Sequence, residues 1–269
     1  MQKSPLPIFI ISYNRGHLVK NLIESMRHLS TVFDFVVHDN GSDDHATLDV
    51  LKNLSEKKII KLKRNPKIHT ANQLNQVNQT VREYFEETKT TAKYYAVTDC
   101  DLDFSRTKEN AILMYCALLN HFKSAQCVGP MLTIDDIPKE YPLYNHVMNR
   151  HISQFWGRKP IIISTTLGPV AFQRAVIDTT FAVHRRADPF RRLKHGLRVY
   201  NPYEVKHVDW YRNNFDYYPR QTDISHWGNL IYNQKHRDAQ LRHEKFYKIE
   251  TKKNTSQLIC VKKILQKPI

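Results

Sequence analysis

The chain is short of glycine. Seven glycines in 269 residues leave no Gly-x-Gly-x-x-Gly after the first strand-like run and no Walker A lysine loop anywhere. Such a protein does not cradle phosphates mainly on a glycine-rich backbone, which counts against Rossmann dehydrogenases and P-loop enzymes. Cysteine is also scarce. Cys100, Cys116, Cys127 and Cys260 form no Cys-x-x-Cys pair, and in a chain this long they read as free thiols of a reducing compartment. No stretch approaches the roughly 20 apolar residues that span a bilayer. Acidic residues are the minority charge, 26 against 41 Lys and Arg, for a net charge of +15. That balance calls for acidic partners: nucleic acid, an anionic membrane surface or phosphorylated small molecules. The basic residues are spread along the chain without a nucleic-acid-binding signature, so nucleic acid is not the expected partner.

Hydrophobic content of 41% and aromatic content of 11% support a packed core rather than disorder. Met-Gln-Lys-Ser-Pro leads straight into a strand-like run with no signal-peptide anatomy, so the expectation is a soluble, cytoplasmic protein. On that expectation the sequons at Asn53, Asn78 and Asn254 are chance matches.

The first hundred residues alternate strand and helix. Pro7–Ser12 is a continuous apolar run, as in a strand buried on both faces. Leu18, Leu22, Met26 and Leu29 follow at helical spacing. Phe35–Asp39 reads as a second strand, closed by the turn Asn40-Gly-Ser-Asp43, where Ser42 or Asp43 can cap a helix carrying Leu48, Leu51 and Leu54. A strand over 58–62, a helix over 70–87 and a strand over 94–98 complete the alternation. It predicts a parallel sheet with right-handed crossovers. Beyond it a helix over 110–122 and strands over 127–133, 161–164 and 167–172 are expected. With no repeat or linker, residues 1–269 read as a single domain. Its last apolar residues, Leu258–Leu265, are interleaved with lysines. They suit a terminal strand or helix packed on the body, or a basic segment touching anionic lipid.

Asp99-Cys-Asp101-Leu-Asp103 follows the apolar strand 94–98. Carboxylates at the C-terminal end of a parallel strand sit where open α/β sheets bind ligands. Two so close together repel unless a cation lies between them. Mg2+ or Mn2+ prefers oxygen ligands and completes its shell with substrate phosphates. An EF-hand loop beginning at Asp99 would need Gly at 104 and Glu at 110, where the chain has Phe104 and Asn110. A haloacid-dehalogenase-type phosphatase would place its Asp-x-Asp near the N-terminus, with Thr or Val at the position of Asp103.

Three segments together make a resemblance specific. Ile10-Ile-Ser-Tyr-Asn-Arg15, Val37-His-Asp-Asn-Gly-Ser-Asp-Asp44 and Tyr95-Ala-Val-Thr-Asp-Cys-Asp101 resemble, in order and separation, motifs of GT-A-fold nucleotide-diphospho-sugar glycosyltransferases of the Asp-x-Asp type. The resemblance implies a Rossmann-like, mixed but mostly parallel central sheet flanked by helices. Residues 1–105 would form the nucleotide-sugar-binding half, and 106–269 the acceptor half with a basic tail. It implies transfer of a hexose from a UDP-sugar, UDP-glucose first, with Mn2+ or Mg2+ as cofactor. The acceptor would be the hydroxyl of a glycan, a lipid-linked molecule or a protein. Ser12, Tyr13 and Arg15 would line the nucleotide pocket, with Cys100 among the cofactor-binding residues, and Asp39 would face the base. Asn65–Asn72 aligns loosely with a further nucleotide-contacting region but lacks its usual glycine.

Asp99 and Asp101 would hold the metal, joined by a histidine far along the chain. His226 in Asp223-Ile-Ser-His-Trp-Gly228 is the first choice, and His207 in Lys206-His-Val-Asp-Trp210 the next. A histidine ligand is familiar among retaining members, which tilts the expectation toward retention. Asp209 would be the general base of an inverting enzyme, or in a retaining one would stabilise the sugar cation or act as nucleophile. Trp156, Trp210, Tyr217, Tyr218 and Trp227 could stack on sugar faces. Gly168–Phe172 could line the donor sugar, and Arg185, Arg186, Arg191, Arg192, Lys194 and Arg198 could clamp a diphosphate. A basic nucleic-acid-binding protein, on the charge alone, and a sugar-phosphate nucleotidyltransferase are the alternatives. The nucleotidyltransferase would want a glycine-rich, lysine-containing loop after the first strand, where Ser12-Tyr-Asn-Arg-Gly16 has one glycine.

Overall fold

Leu6–Ser12 forms β1, buried at every position, and it can be so because it lies inside a sheet covered on both faces. The computed structural model describes residues 4–67, 71–211, 235, 238–252 and 257–265. β1 pairs in parallel with β2 (Phe33–Asp39) on one side and β4 (Tyr94–Asp99) on the other, and β2 pairs in parallel with β3 (Ile60–Arg64). The side chains of β1 alternate between two layers. Ile8 and Ile10 join Leu18, Leu22 and Ile23 of α1 (Gly16–Ser25) and Leu51 and Leu54 of α2 (His45–Glu56). Phe9 and Ile11 join Val77, Val81, Tyr84 and Phe85 of α3 (Val77–Thr88) on the opposite face. This two-faced burial is what the unbroken apolar run encodes.

The described part of the molecule has a nine-stranded main sheet of order β3-β2-β1-β4-β9-β6-β10-β8-β7. Here β6 is Cys127–Pro130, β7 Ile161–Thr165, β8 Gly168–Ile177, β9 Ala182–Arg185 and β10 Lys194–Val199. The pairings make β9 and β8 antiparallel to their neighbours, so seven of the nine strands run one way. The sheet is mixed, mostly parallel and flanked by helices, as expected. α4 (Ala111–His121) and α5 (Tyr144–His151) add to the α1–α2 layer, where one core cluster runs from Leu6 to Ile249.

Several local expectations shift. The 70–87 helix is a 3-10 turn, Ala71–Gln76, leading into α3. The α2 cap is neither Ser42 nor Asp43 but Asp44, whose carboxylate accepts Thr47 N–H at 2.8 Å. Ser42 is committed elsewhere, donating its hydroxyl to Asp39. The C-terminal segment is a strand, β13 (Leu258–Ile264), paired antiparallel with β12 (Lys245–Thr251). Among the described residues no helix is long and apolar enough to cross a membrane.

Candidate functional site

A short ladder assembles the site. β5 (Leu102–Asp103) pairs antiparallel with β11 (Lys206–His207), setting Leu102 opposite His207. Val208 N–H donates to Asp101 O at 2.8 Å, and Tyr141 Oη donates to Asp209 O at 2.5 Å. Residues a hundred positions apart thereby converge just beyond the C-terminal end of β4. Asp101, His207 and Asp209 each offer one metal-ligating atom, and these atoms lie within 4.8 Å of one another. All three residues are buried.

Arg15 reaches into this cluster from the β1–α1 turn. Its Nη1 donates to Asp101 Oδ2 at 3.0 Å and its Nη2 to Asp209 Oδ2 at 2.8 Å. His207 Nε2 is 3.6 Å from Asp101 Oδ2. The Trp210 ring, fully buried, stacks on His207 at 4.6 Å with 7° between planes, and His151 meets Trp210 edge-on at 4.2 Å. Trp210 therefore fixes an imidazole and has no face left for a sugar.

Burial pushes the Asp101 carboxyl up, but the neighbouring His207 and Arg15 outweigh it and hold the group below the ordinary range. Asp209 goes the other way. Burial raises it, and the opposing pull of Arg15 does not compensate. Asp99, at the tip of β4, is raised to about 8 by burial and then by the charge of Asp101. Its Oδ2 accepts Thr179 Oγ1 at 2.6 Å and its N–H donates to Thr179 O at 3.0 Å.

The cluster suits a divalent cation. Asp101 Oδ1 and Asp209 Oδ1 are buried and accept no hydrogen bond from any described residue, an expensive condition for carboxylate oxygens. Two carboxylates and an imidazole are a donor set that Mn2+ accepts.

Asp39 is fully buried. It accepts Ser42 Oγ and Ser42 N–H, the latter at 3.2 Å, and lies 3.5 Å from Arg64 Nε. Its carboxylate thus organises the turn after β2. Gly41 there has φ +77°, and a Cβ would stand 2.8 Å from Lys67 N. Ser12 ends β1, buried, and its Oγ has no partner among the described residues. Tyr13 faces the Lys67 ammonium at 4.8 Å. Cys100 is buried, which pushes its thiol up.

His226, Tyr217, Tyr218 and Trp227 lie outside the described residues. Gly168–Phe172 opens β8, four strands from β4 in the sheet. Most of the basic run is engaged within the fold: Arg185 donates to Leu119 O and Ala125 O, Arg192 pairs with Asp178 at 2.7 Å, Lys194 donates to Pro189 O, and Arg198 is buried, donating to Pro130 O. Thr179 and Tyr141 carry no sequence signal. His207 and Asp209 carry one, the alternation in Lys206-His-Val-Asp-Trp210, and the ladder with β5 gives it meaning.

No family model and no curated protein matches the chain. Several solved structures are similar to it. A mannosyltransferase from Pyrobaculum calidifontis, in complex with GDP-Man and Mn2+, is 14% identical over 70% of this chain and 46% of that one, with a TM-score of 0.42. TarS from S. aureus in complex with UDP is 11% identical over 68% and 47%, with a TM-score of 0.41. Glucosyl-3-phosphoglycerate synthase from Mycobacterium tuberculosis, with Mn2+, UDP and glucosyl-3-phosphoglycerate, is 12% identical over 68% and 57%, with a TM-score of 0.37. The chain spans about half the length of these proteins. Their ligands and activities remain theirs.

Proposed function

We propose that the protein is a metal-dependent glycosyltransferase that moves a hexose from a UDP-sugar, UDP-glucose first, to an acceptor hydroxyl. One observation carries this reading: the buried Asp101–His207–Asp209 cluster beyond the C-terminal end of β4, where an open α/β sheet binds its ligands. Asp101, His207 and Asp209 would hold the ion, and Asp99 would stand beside them. The nitrogen donor favours Mn2+ over Mg2+, which prefers an all-oxygen shell. When bound, the ion neutralises the charge that develops on the leaving nucleoside diphosphate.

The chain's own residues do the rest. The Asp39 turn and the Ser12–Tyr13 segment shape the edge that receives the nucleoside, with Lys67 adding positive charge beside Tyr13. Trp210 and Tyr141 hold His207 and Asp209 in place. Asp209 is engaged by Arg15 and by the cluster, so the reading includes retention of configuration rather than Asp209 as an acceptor base. The enzyme would be cytoplasmic. Its acceptor would be a glycan, a lipid-linked molecule or a protein, and the lysines of the β12–β13 hairpin would supply any contact with anionic lipid.

Calorimetry of UDP-, GDP- and CDP-sugars with and without Mn2+ tests the donor class. A UDP-sugar should bind best and only with the metal, whereas metal-independent binding or none would defeat the reading. The product anomer, read by NMR, tests retention. Pyrophosphate release from UTP and a sugar phosphate would instead mark a nucleotidyltransferase.

A further inference from the structure

We propose that Arg15 is the resident cation of the carboxylate cluster and that it gives up its place to the metal, so that this one side chain sets how tightly the ion is held. The proposal rests on the metal-site reading above and goes beyond it in assigning Arg15 a role opposed to the ion's.

The geometry is that of a guanidinium standing in for a metal. Its two terminal nitrogens bridge Asp101 and Asp209 through one oxygen of each, at 3.0 and 2.8 Å, and the three side chains are 15%, 8% and 0% exposed. Two buried carboxylates so close together need a cation, and among the described residues Arg15 lies within hydrogen-bonding distance of both. A guanidinium only donates hydrogen bonds. Each carboxylate lone pair it holds is therefore one the metal lacks. Charge counts the same way. An ion added beside an unmoved Arg15 would set three positive charges against the two carboxylates, whereas an ion that displaces it leaves the cluster neutral.

The backbone of Arg15 is fixed, its carbonyl accepting Leu18 N–H at 2.9 Å and Val19 N–H at 3.2 Å at the start of α1. Displacement is thus a side-chain movement, within the reach of a long flexible residue. A released guanidinium seeks anionic oxygens, which a diphosphate arriving with the ion would supply. Metal and nucleotide binding should then reinforce one another through Arg15.

The test is Mn2+ binding to the intact protein, by calorimetry and by the loss of free-Mn2+ electron paramagnetic resonance signal, with and without UDP. Arg15→Met should bind Mn2+ about tenfold more tightly than the wild-type protein, because the internal competitor is gone. Its metal-free form should melt lower and gain more on adding Mn2+. Arg15→Lys keeps the charge but cannot fork across both carboxylates, so its Mn2+ affinity should fall between the two. UDP should tighten Mn2+ binding more in the wild-type protein than in Arg15→Met. Mn2+ affinity in the variants equal to or weaker than wild type would overturn the proposal and make Arg15 a positioning residue that stays with the carboxylates. If circular dichroism shows Arg15→Met unfolded, Arg15→Lys decides by the same criterion. Absence of Mn2+ binding in the wild-type protein and both variants, even with UDP, would instead bring down the metal-site reading itself.

Discussion

Asp39 ends β2 and Asp101 lies two residues past β4; both are buried carboxylates, and the protein neutralises them in different ways. Asp39 is met locally: Ser42, three residues on, donates its N–H and hydroxyl, and Arg64 approaches from the neighbouring strand. Asp101 is met from afar, by Arg15 from the first turn and His207 from a strand beyond residue 200. The first arrangement is complete as folded. The second leaves one oxygen each of Asp101 and Asp209 buried without a partner among the described residues. A locally satisfied carboxylate shapes a turn; one held by a long arginine side chain, with a buried oxygen to spare, has the features of a ligand site.

Substitutions can break that contrast. Asp101→Asn should have the largest effect, lowering Mn2+ affinity by at least about 100-fold and removing metal-dependent transfer while the protein stays folded. Unchanged Mn2+ calorimetry in this variant would contradict the assignment. His207→Ala removes the one nitrogen donor of the cluster and should weaken Mn2+ by about tenfold, read by the same titration. Asp39→Asn should behave oppositely, costing about 1–3 kcal/mol of stability in chemical denaturation through lost charge-assisted bonds. Its Mn2+ affinity without nucleotide should match wild type; a weakened metal site would erase the distinction between the two carboxylates. The smallest effect is expected of Gly41→Ala, about 1 kcal/mol, from the positive φ and the crowding against Lys67 N. A lowered melting temperature with unaltered Mn2+ binding is the expected result.

The same contrast explains what could be read from the residues alone. The parallel half of the sheet follows from local signals: the apolar run of β1, the stripe Leu18, Leu22, Met26 and Leu29, and the turn at Gly41. The Asp-x-Asp segment likewise advertises itself at the end of β4. The partners of Asp101 do not, because they depend on pairing Leu102–Asp103 with Lys206–His207, two-residue strands too short to leave a periodic pattern. That pairing sets His207 and Asp209 beside Asp101. β9 and β10 were hidden for a related reason. Arg185 ends β9, Lys194 opens β10 and Arg198 interrupts it, and these cations donate to backbone carbonyls that only the folded chain presents. The capping of α2 by Asp44 rather than Ser42 follows once Asp39 has claimed the serine.

An anomalous-difference map from crystals soaked in Mn2+ puts the central claim to the most direct test. The account predicts one strong peak within coordinating distance of Asp101, His207 and Asp209, with the Arg15 side chain withdrawn from at least one carboxylate. A map with Mn2+ bound elsewhere and the Arg15 bridge intact would contradict it.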